Sequence, residues 1–503
     1  MALKPYRYYF LALILFVLAA YCNVYGNGFL LDDEFLLQKN RFIEDADYFW
    51  RIFTSSSTMG AGGTDSFYRP MQTLAYFIVV QIFGLQIPAI HALNVALHAI
   101  NACLIFWLGV GRLKIKPLFA FSAALIWAAH PLHTEAVTYM SATADPLHAM
   151  FVLLALVNSR RMWLANIFFI FGLMSKESAI VLPLLVMVLE AVESKEPFNW
   201  RTYLRTWPLW VTTVLYLIAR KTILNFDDTF SFYKEANIYT ENMAYRALTF
   251  LGTLPMYGYL LLWPHNLHME RDFPVFAGWT LEPILGGLFL LVGALAIFLE
   301  RNKTWRPFSL AALWFFMAHI PHTGVLLPVN SLFLEHWMYL PSIGLILGLM
   351  AWLSRTHLPG VAVLAVSAMI ALALASVTFM QNRVWASPIT FYENILRTTK
   401  GNCRVHNNLG MAYAERGEGD RAIEQYLKAV AIKDVYAQVR HNLAEEYMRR
   451  GELQEAIVHL KRALDIDPQF YYSYKNLAAV YQRLGDQKEA QRYFDLYQKI
   501  RPE

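Results

Sequence analysis

Apolar positions along this chain fall into two regimes. Up to about Met380 they form long apolar runs separated by short polar or basic loops; beyond it they recur at helical spacing in a charged background. From Tyr8 to Leu31 there is no Asp, Glu, Lys or Arg. At about 1.5 Å per helical residue such a run can cross a roughly 30 Å hydrocarbon layer. Further apolar runs near residues 88–111, 117–133, 145–159, 162–175, 178–190, 206–219, 283–299, 307–323, 336–353 and 358–380 bring the expected crossings to eleven. Tyr68 to Phe83 is expected as a surface or juxtamembrane helix. The uncharged run Ala247 to Met269 is interrupted by Pro255 and Pro264, so it is expected as a re-entrant or outer-leaflet element. Several runs are short, near 14 residues, as in helices that line cavities. The predicted fold class is therefore all-α: a polytopic membrane bundle over residues 1–385, then a soluble domain over 386–503.

The second regime is a repeat. Asn408-Leu409, Asn442-Leu443 and Asn476-Leu477 recur at intervals of 34, as do Tyr413, Tyr447 and Tyr481, Gly417, Gly451 and Gly485, and Ala422, Ala456 and Ala490. Small residues at the Gly and Ala positions are expected to let the two helices of a unit cross closely, and Pro468 to stop the second helix. Three tetratricopeptide (TPR) units are predicted, forming an α-solenoid. Such grooves bind extended peptides or proteins, so this part predicts interaction rather than chemistry.

Composition agrees. The 503 residues are 57% hydrophobic and only 16% charged, far from an average soluble protein. The net charge of +5 is small and concentrated in loops, which argues against nucleic-acid binding and for membrane orientation. Lys4 and Arg7 place the N-terminus in the cytoplasm, with the first helix retained rather than removed as a signal peptide. Arg112, Lys114 and Lys116, Arg160 and Arg161, Lys195, Arg201 and Arg205, Arg301, Lys303 and Arg306, and Arg355 mark the same side. An odd number of crossings then puts the TPR units outside. The first outer loop, residues 26–70, is acidic and Gly-rich near Gly60 to Gly63; Phe42 to Phe53 alternates aromatic and charged residues and is expected on the membrane surface. Cys22, Cys103 and Cys403 have no metal-ligand or disulfide spacing.

Candidate chemistry gathers at the outer ends of the runs. LDDEF (Leu31 to Phe35) places Asp32, Asp33 and Glu34 where the chain leaves the membrane, either as a polar flank or as a site. The other outer turns carry Arg69 in YRP, His130, His133 and Glu135 in HPLHTEAV, Asp145, Lys176 and Glu177 in SKES, Arg220, Arg271, and Glu335 and His336 in SLFLEHWMYLPS. Each has a structural alternative: Lys176 and Glu177 as an interfacial pair, His130 and His133 as helix-end histidines, Arg220 and Arg271 snorkelling to head groups. Together they are too many ionisable groups at one membrane face for helix flanks alone. Cations beside carboxylates suit a phosphate-bearing lipid donor and a carboxylate base.

LDDEF after the first helix, then YRP, IHALNVALH, HPLHTEAV followed by Asp145, SKES, EHWMYLPS and terminal TPR units, in that order, resembles the transmembrane-and-TPR (TMTC-type) protein O-mannosyltransferases. More distantly the chain is similar to the GT-C glycosyltransferases, which share a first-loop acidic pair and sugar donors on polyprenyl phosphate. The resemblance implies that Asp32 and Asp33 occupy that acidic pair; it implies nothing about which sugar this chain uses, and mannose is the expected one. With a phosphate leaving group, one carboxylate base suffices to deprotonate a Ser or Thr hydroxyl, and a single displacement inverts the anomeric centre. Lys176, Arg220 and Arg271 are then the candidates for holding phosphate, and Asp32 or Asp33 for the base. Glu34, Arg69, His130, His133, Glu135, Asp145, Glu177, Glu335 and His336 are the remaining substrate-binding candidates. The carboxylates could also bind a divalent cation. The alternatives are a lipid-linked oligosaccharide ligase or polymerase, whose large late outer loop is not seen here, and a non-enzymatic TPR scaffold. The expected partners are a lipid-linked sugar, membrane lipids and an exported acceptor protein in the TPR groove; the expected location is a bacterial inner membrane, with site and TPR units periplasmic.

Overall fold

The computed structural model describes residues 4–63, 67–193, 200–222, 237–299, 306–399 and 401–501. Lys195, Arg301 and Lys303 of the expected basic loops lie outside the described residues, as does the side chain of Arg201. The chain divides into two compact units, Met1–Ala386 and Ser387–Glu503. Every regular element among the described residues is a helix. Numbering only helices of nine residues or more, the first unit holds α1 (Arg7–Ala20), α2 (Pro70–Phe83), α3 (Ile87–Gly111), α4 (Pro117–Ala129), α5 (Ala144–Asn158), α6 (Met162–Leu173), α7 (Leu182–Glu193), α8 (Trp207–Thr222), α9 (Met243–Leu262), α10 (Leu281–Phe298), α11 (Arg306–His319), α12 (Pro341–Leu353) and α13 (Gly360–Asn382).

Among the described residues five spans are long and apolar enough to cross a bilayer: Ile87–Gly111, Met140–Asn158, Leu281–Phe298, Glu335–Leu353 and Gly360–Ala386. α1, α2, α4 and α6 are apolar but shorter, at 12 to 14 residues. These lengths do not by themselves fix a count of eleven crossings. The long helices sort by burial. α3 and α5 lie inside the bundle, whereas α10 and α13 turn Leu288, Leu291, Val292, Leu372 and Met369 outward. Long apolar helices with apolar outer faces belong against lipid, so this is an integral membrane protein.

Two expectations change for local reasons. The uncharged run to Leu31 is not one helix, because α1 stops at Ala20. Asn23, Gly26, Asn27 and Gly28 follow, and the Asn side chains bond other backbone: Asn23 Nδ2 donates to Phe379 O (2.8 Å) and Asn27 Nδ2 to Asn382 O (2.8 Å). Absence of charge marked the run as apolar but did not make it helical. Conversely, Pro255 does not break the run it lies in. α9 is a continuous helix of 20 residues with Pro255 inside it. Proline deprives the Leu251 carbonyl of its helical donor. Gly286 of α10 packs against that carbonyl, so closely that a Cβ there would sit 1.9 Å from the oxygen.

α3 is the organising helix. His91, Asn94, His98 and Asn101 fall on one face at helical spacing and are all buried. Their partners are carbonyls of irregular segments, Asn27 O for His91 Nε2 (3.1 Å) and Tyr139 O for Asn94 Nδ2 (3.2 Å), and of helix ends, Ala128 O in the last turn of α4 for His98 Nε2 (3.1 Å) and Pro146 O in the first turn of α5 for Asn101 Nδ2 (2.8 Å). Four polar side chains thereby tie α3 to the turns and helix ends around it.

The second unit comprises α14 (Pro388–Leu396) and three helix pairs: α15 (Cys403–Glu415) with α16 (Gly419–Ile432), α17 (Ala437–Arg450) with α18 (Leu453–Ile466), and α19 (Tyr471–Arg483) with α20 (Gln487–Ile500). The periodic glycines have a different task from the one expected. Gly417, Gly451 and Gly485 adopt φ of 78°, 79° and 81°, with open space where a Cβ would point. They are required by the left-handed turn between helices, not by close packing. The close approach occurs at Gly410, where a Cβ would lie 2.5 Å from the Tyr426 ring; Ala444 and Ala478 occupy that position in the later units.

Candidate active site

The ends of the bundle are chemically distinct. α3 starts where His91 bonds Asn27 and finishes at Arg112, whose guanidinium donates to Glu193 (2.7 Å), to Leu156 O (3.1 Å) and to the Ser159 hydroxyl. That closes one end with a structural ion pair. At the other end, where α2, α3 and α5 begin, the candidate residues collect.

Leu31 takes φ 49°, rare for a branched residue, and turns the chain immediately before the two aspartates. Asp33 goes inward and is only 1% exposed. Its Oδ1 accepts the Ser141 N–H (2.8 Å) and the Ser141 hydroxyl, and its Oδ2 accepts the Leu30 N–H (2.8 Å). Burial pushes this carboxyl up to about 7 against the pull of those hydrogen bonds. Asp32 is exposed, and its N–H donates to the Tyr139 hydroxyl at 2.9 Å. The Tyr139 ring stacks on Trp385 at 5.4 Å, and burial holds its hydroxyl well above the usual tyrosine range.

Arg69 precedes Pro70, the first residue of α2, and its guanidinium meets Glu177 at 2.9 Å. Burial opposes ionisation of Glu177, but Arg69 overrides it and holds the carboxyl down at about 2. Three residues on, Gln72 Nε2 donates to Ser141 O (2.8 Å), and the Met71 N–H donates to Met174 O (3.0 Å). The first turn of α2 therefore ties the Asp33–Ser141 contact to the Arg69–Glu177 pair. Beside it, Lys176 Nζ donates to Asp145 at 2.7 Å, both side chains buried. Asp145 lies within electrostatic reach of His148 and His336. His336 Nδ1 stands 2.9 Å from Glu135, and Glu335 accepts Arg271 (2.6 Å) and the His268 N–H (2.8 Å). Arg220 is buried, donates to the Tyr216 hydroxyl (2.7 Å), and its charge acts on Glu177.

Three candidates stand apart from this assembly. Glu34 forms an exposed pair with Lys39. His130 uses both ring nitrogens on backbone, Leu261 O (2.9 Å) and the Leu132 N–H (3.3 Å). His133 is enclosed by Trp127 and Tyr339, with ring centroids at 4.7 and 5.0 Å. Residues the sequence reading missed include Tyr139, Ser141, Gln72, His148 and His322. Ser141 and Tyr139 carry no charge and sit in a turn read for its histidines. Gln72 had a signal, one helical turn after Arg69. His322 stacks on Trp337 (4.9 Å) within reach of Lys176 and Asp145. Among the described residues no group of three or more His, Cys, Asp or Glu converges as a metal-ligand set.

Family models for the tetratricopeptide repeat match residues 407–433 and 471–503, and a TPR repeat model matches 444–485. Over 85% of its length the chain is 23% identical to a protein O-mannosyl-transferase of Caenorhabditis elegans, covering 63% of that protein. Over 83% of its length it is 23% identical to the human protein O-mannosyl-transferase TMTC3, covering 50% of it. The chain thus spans about half to under two thirds of the length of these relatives. Among solved structures it is similar to a crystal structure of MamA, at 26% identity over 23% of this chain and 67% of that one, with a TM-score of 0.22.

Proposed function

We propose that this chain, which resembles the TMTC-type protein O-mannosyl-transferases over most of its length, is an inverting GT-C-type glycosyltransferase acting at the membrane surface. It moves a sugar, mannose first among the candidates, from a polyprenyl-phosphate donor to Ser or Thr hydroxyls of exported proteins. The observation that carries this reading is the exposed Asp32 at the same end of a lipid-facing helical bundle as the half-buried Arg69 and the buried Lys176 and Arg220. In the reaction the acceptor oxygen bonds to the anomeric carbon while the bond from that carbon to the phosphate oxygen breaks. The electron pair leaves on the polyprenyl phosphate, and the hydroxyl proton goes to a carboxylate of the first outer loop. Arg69 and Lys176 are already fixed by Glu177 and Asp145, so a phosphate reaching them meets preorganised charge. The outward apolar faces suit the polyprenyl tail, and the TPR unit recruits the acceptor. The chain lies in a bacterial inner membrane with the N-terminus cytoplasmic and the site and TPR unit periplasmic.

The test is transfer from polyprenyl-phosphate-linked mannose to a Ser/Thr-rich exported protein by the purified chain in lipid nanodiscs. Labelled product that is lost on β-elimination supports the reading. Absence of transfer with mannose, glucose and other polyprenyl-phosphate sugars would remove it.

A further inference from the structure

We propose that the first outer loop holds a site for a phosphoethanolamine headgroup, the phosphodiester and primary ammonium end of a membrane lipid. The site does not depend on the glycosyl-transfer reading. It is a cavity of about 640 Å³ whose walls include Lys39, Arg41, Phe42, Glu44, Tyr48 and Met59. Arg41 and Glu44 stand three apart on the short helical turn Arg41–Glu44, so they share a face. Among the described residues neither has an ion-pair partner, and they do not pair with each other; Lys39 meets only Glu34, in an exposed pair. Exposed pairs are weak, so Lys39 is free to turn to a stronger anion. Two cations and one carboxylate on one cavity wall match a headgroup with one phosphate and one ammonium. The phosphodiester takes the charge-assisted donors of Lys39 and Arg41, and the ammonium donates to Glu44 beside the Phe42 and Tyr48 rings, whose centroids lie 5.7 Å apart. A headgroup with negative charge alone would face Glu44 unpaired, which gives the site a preference.

The walls are fixed by the fold. Asn40 accepts the Phe42 N–H (3.1 Å) and donates to Leu36 O (3.2 Å) and Ser57 O (3.1 Å), joining the two sides of the loop. Gly60, which also lines the cavity, lies where a Cβ would collide with Asn40 and Phe42. The turn that carries Arg41 and Glu44 rests on α2, because Gln81 Nε2 donates to Glu44 O (2.9 Å) and Ile43 O (3.2 Å). α2 turns Ile78, Ile82 and Phe83 outward, and Trp50, a few residues beyond Glu44, is 76% exposed. At the same end of the bundle the exposed Trp279 precedes the lipid-facing α10. Exposed tryptophans beside outward apolar faces belong at the headgroup level of a bilayer, which favours a lipid over a soluble phosphate ester or an acidic protein segment.

The experiment measures the lipid that the full chain retains, by native mass spectrometry, on release from nanodiscs made of equal phosphatidylethanolamine and phosphatidylglycerol, with the melting temperature of each variant recorded. The parent should retain phosphatidylethanolamine in preference by about tenfold, the worth of one hydrogen bond to a charged group. Replacing both cations, Lys39→Gln with Arg41→Gln, should cut the retained phosphatidylethanolamine at least about tenfold. Glu44→Gln should keep bound lipid but lose the preference, and Lys116→Gln, at the opposite end of α3, should behave as the parent. All of these side chains are exposed, so the substitutions leave the packing alone. Equal retention of the two lipids by the parent would overturn the site, as would a double variant that matches the parent or a Lys116→Gln variant that loses as much as the double one. A Glu44→Gln variant with its preference intact would overturn the headgroup assigned. Glycerophosphoethanolamine, which has no acyl chains, should compete only weakly; competition as strong as that of the lipid would assign the cavity to a soluble ester instead. If the double variant keeps its lipid but loses binding of a Ser/Thr-rich exported protein, the cavity serves a protein and the lipid assignment is wrong.

Discussion

The guanidinium of Arg69 meets the carboxylate of Glu177 side on, Nη2 to Oε1 at 2.9 Å and Nε to Oε2 at 3.4 Å. The pair joins the start of α2 to the turn before α7, 108 residues away. Such two-point contact between half-buried side chains is stronger than a surface ion pair, and removing Arg69 leaves Glu177 only the further charges of Arg220 and Lys176. Glu177 titrates at about 2 here against a usual value of 4.5, so its stabilising effect is present above 4.5 and is lost only as pH falls through about 2.

Arg69→Ala is therefore expected to destabilise the protein by about 3 kcal/mol at neutral pH, and Glu177→Ala alone by somewhat less. The double variant should recover much of the loss. A double-mutant cycle by thermal melting in detergent checks this; additive losses would mean that the two side chains do not act as a pair.

Asp33 predicts the opposite pH behaviour. Its folded carboxyl is raised from 3.8 to about 7, so the contribution is fully present below 3.8 and is lost as pH rises through about 7. Asp33→Asn removes this loss. The unfolding free energy of the Asn variant relative to the parent, from melting curves at each pH, should climb between about pH 4 and 7, with a slope of up to about 1.4 kcal/mol per pH unit, and then level off. A difference that is flat with pH would contradict the burial of that carboxylate.

The contact of Gly286 with Leu251 predicts a sharp contrast between two glycines. A Cβ at Gly286 would lie 1.9 Å from the Leu251 carbonyl oxygen, whereas nothing lies within 4 Å of the corresponding point at Gly258. Gly286→Ala should force α9 and α10 apart and cost more than about 2 kcal/mol, while Gly258→Ala should be neutral or stabilise by up to about 1 kcal/mol through helix propensity. Size-exclusion profiles and melting of both variants decide it.

Removing residues 401–503 separates recruitment from chemistry. Donor turnover and transfer to a short Ser/Thr peptide should persist in the truncated chain, while transfer to a folded exported protein falls at least about tenfold. Complete loss of donor turnover in a truncation that still inserts stably would show that the TPR unit does more than recruit.

Local pattern determined much of this protein. Uncharged runs marked the helices of the bundle, and the 34-residue period marked the three TPR units, because burial in lipid and stacking of repeats both impose rules that hold within one element. The chemical types at the site were legible for the same reason, since charge at a membrane end stands out in an apolar sequence. What the residues do there was decided in three dimensions. Asp32 and Asp33 are chemically identical neighbours, and only the turn at Leu31 and the arrival of Ser141 make one exposed and the other buried. Arg69, Lys176 and Arg271 were separate cations in the sequence; each takes its carboxylate partner from a different part of the chain. Helix limits also moved, shortened by Asn23 to Gly28 and carried through Pro255, because side chains and a glycine elsewhere satisfied or approached the backbone involved. Hydrophobic periodicity is a property of neighbours along the chain, whereas a hydrogen bond or ion pair depends on which distant segment folding brings within about 3 Å.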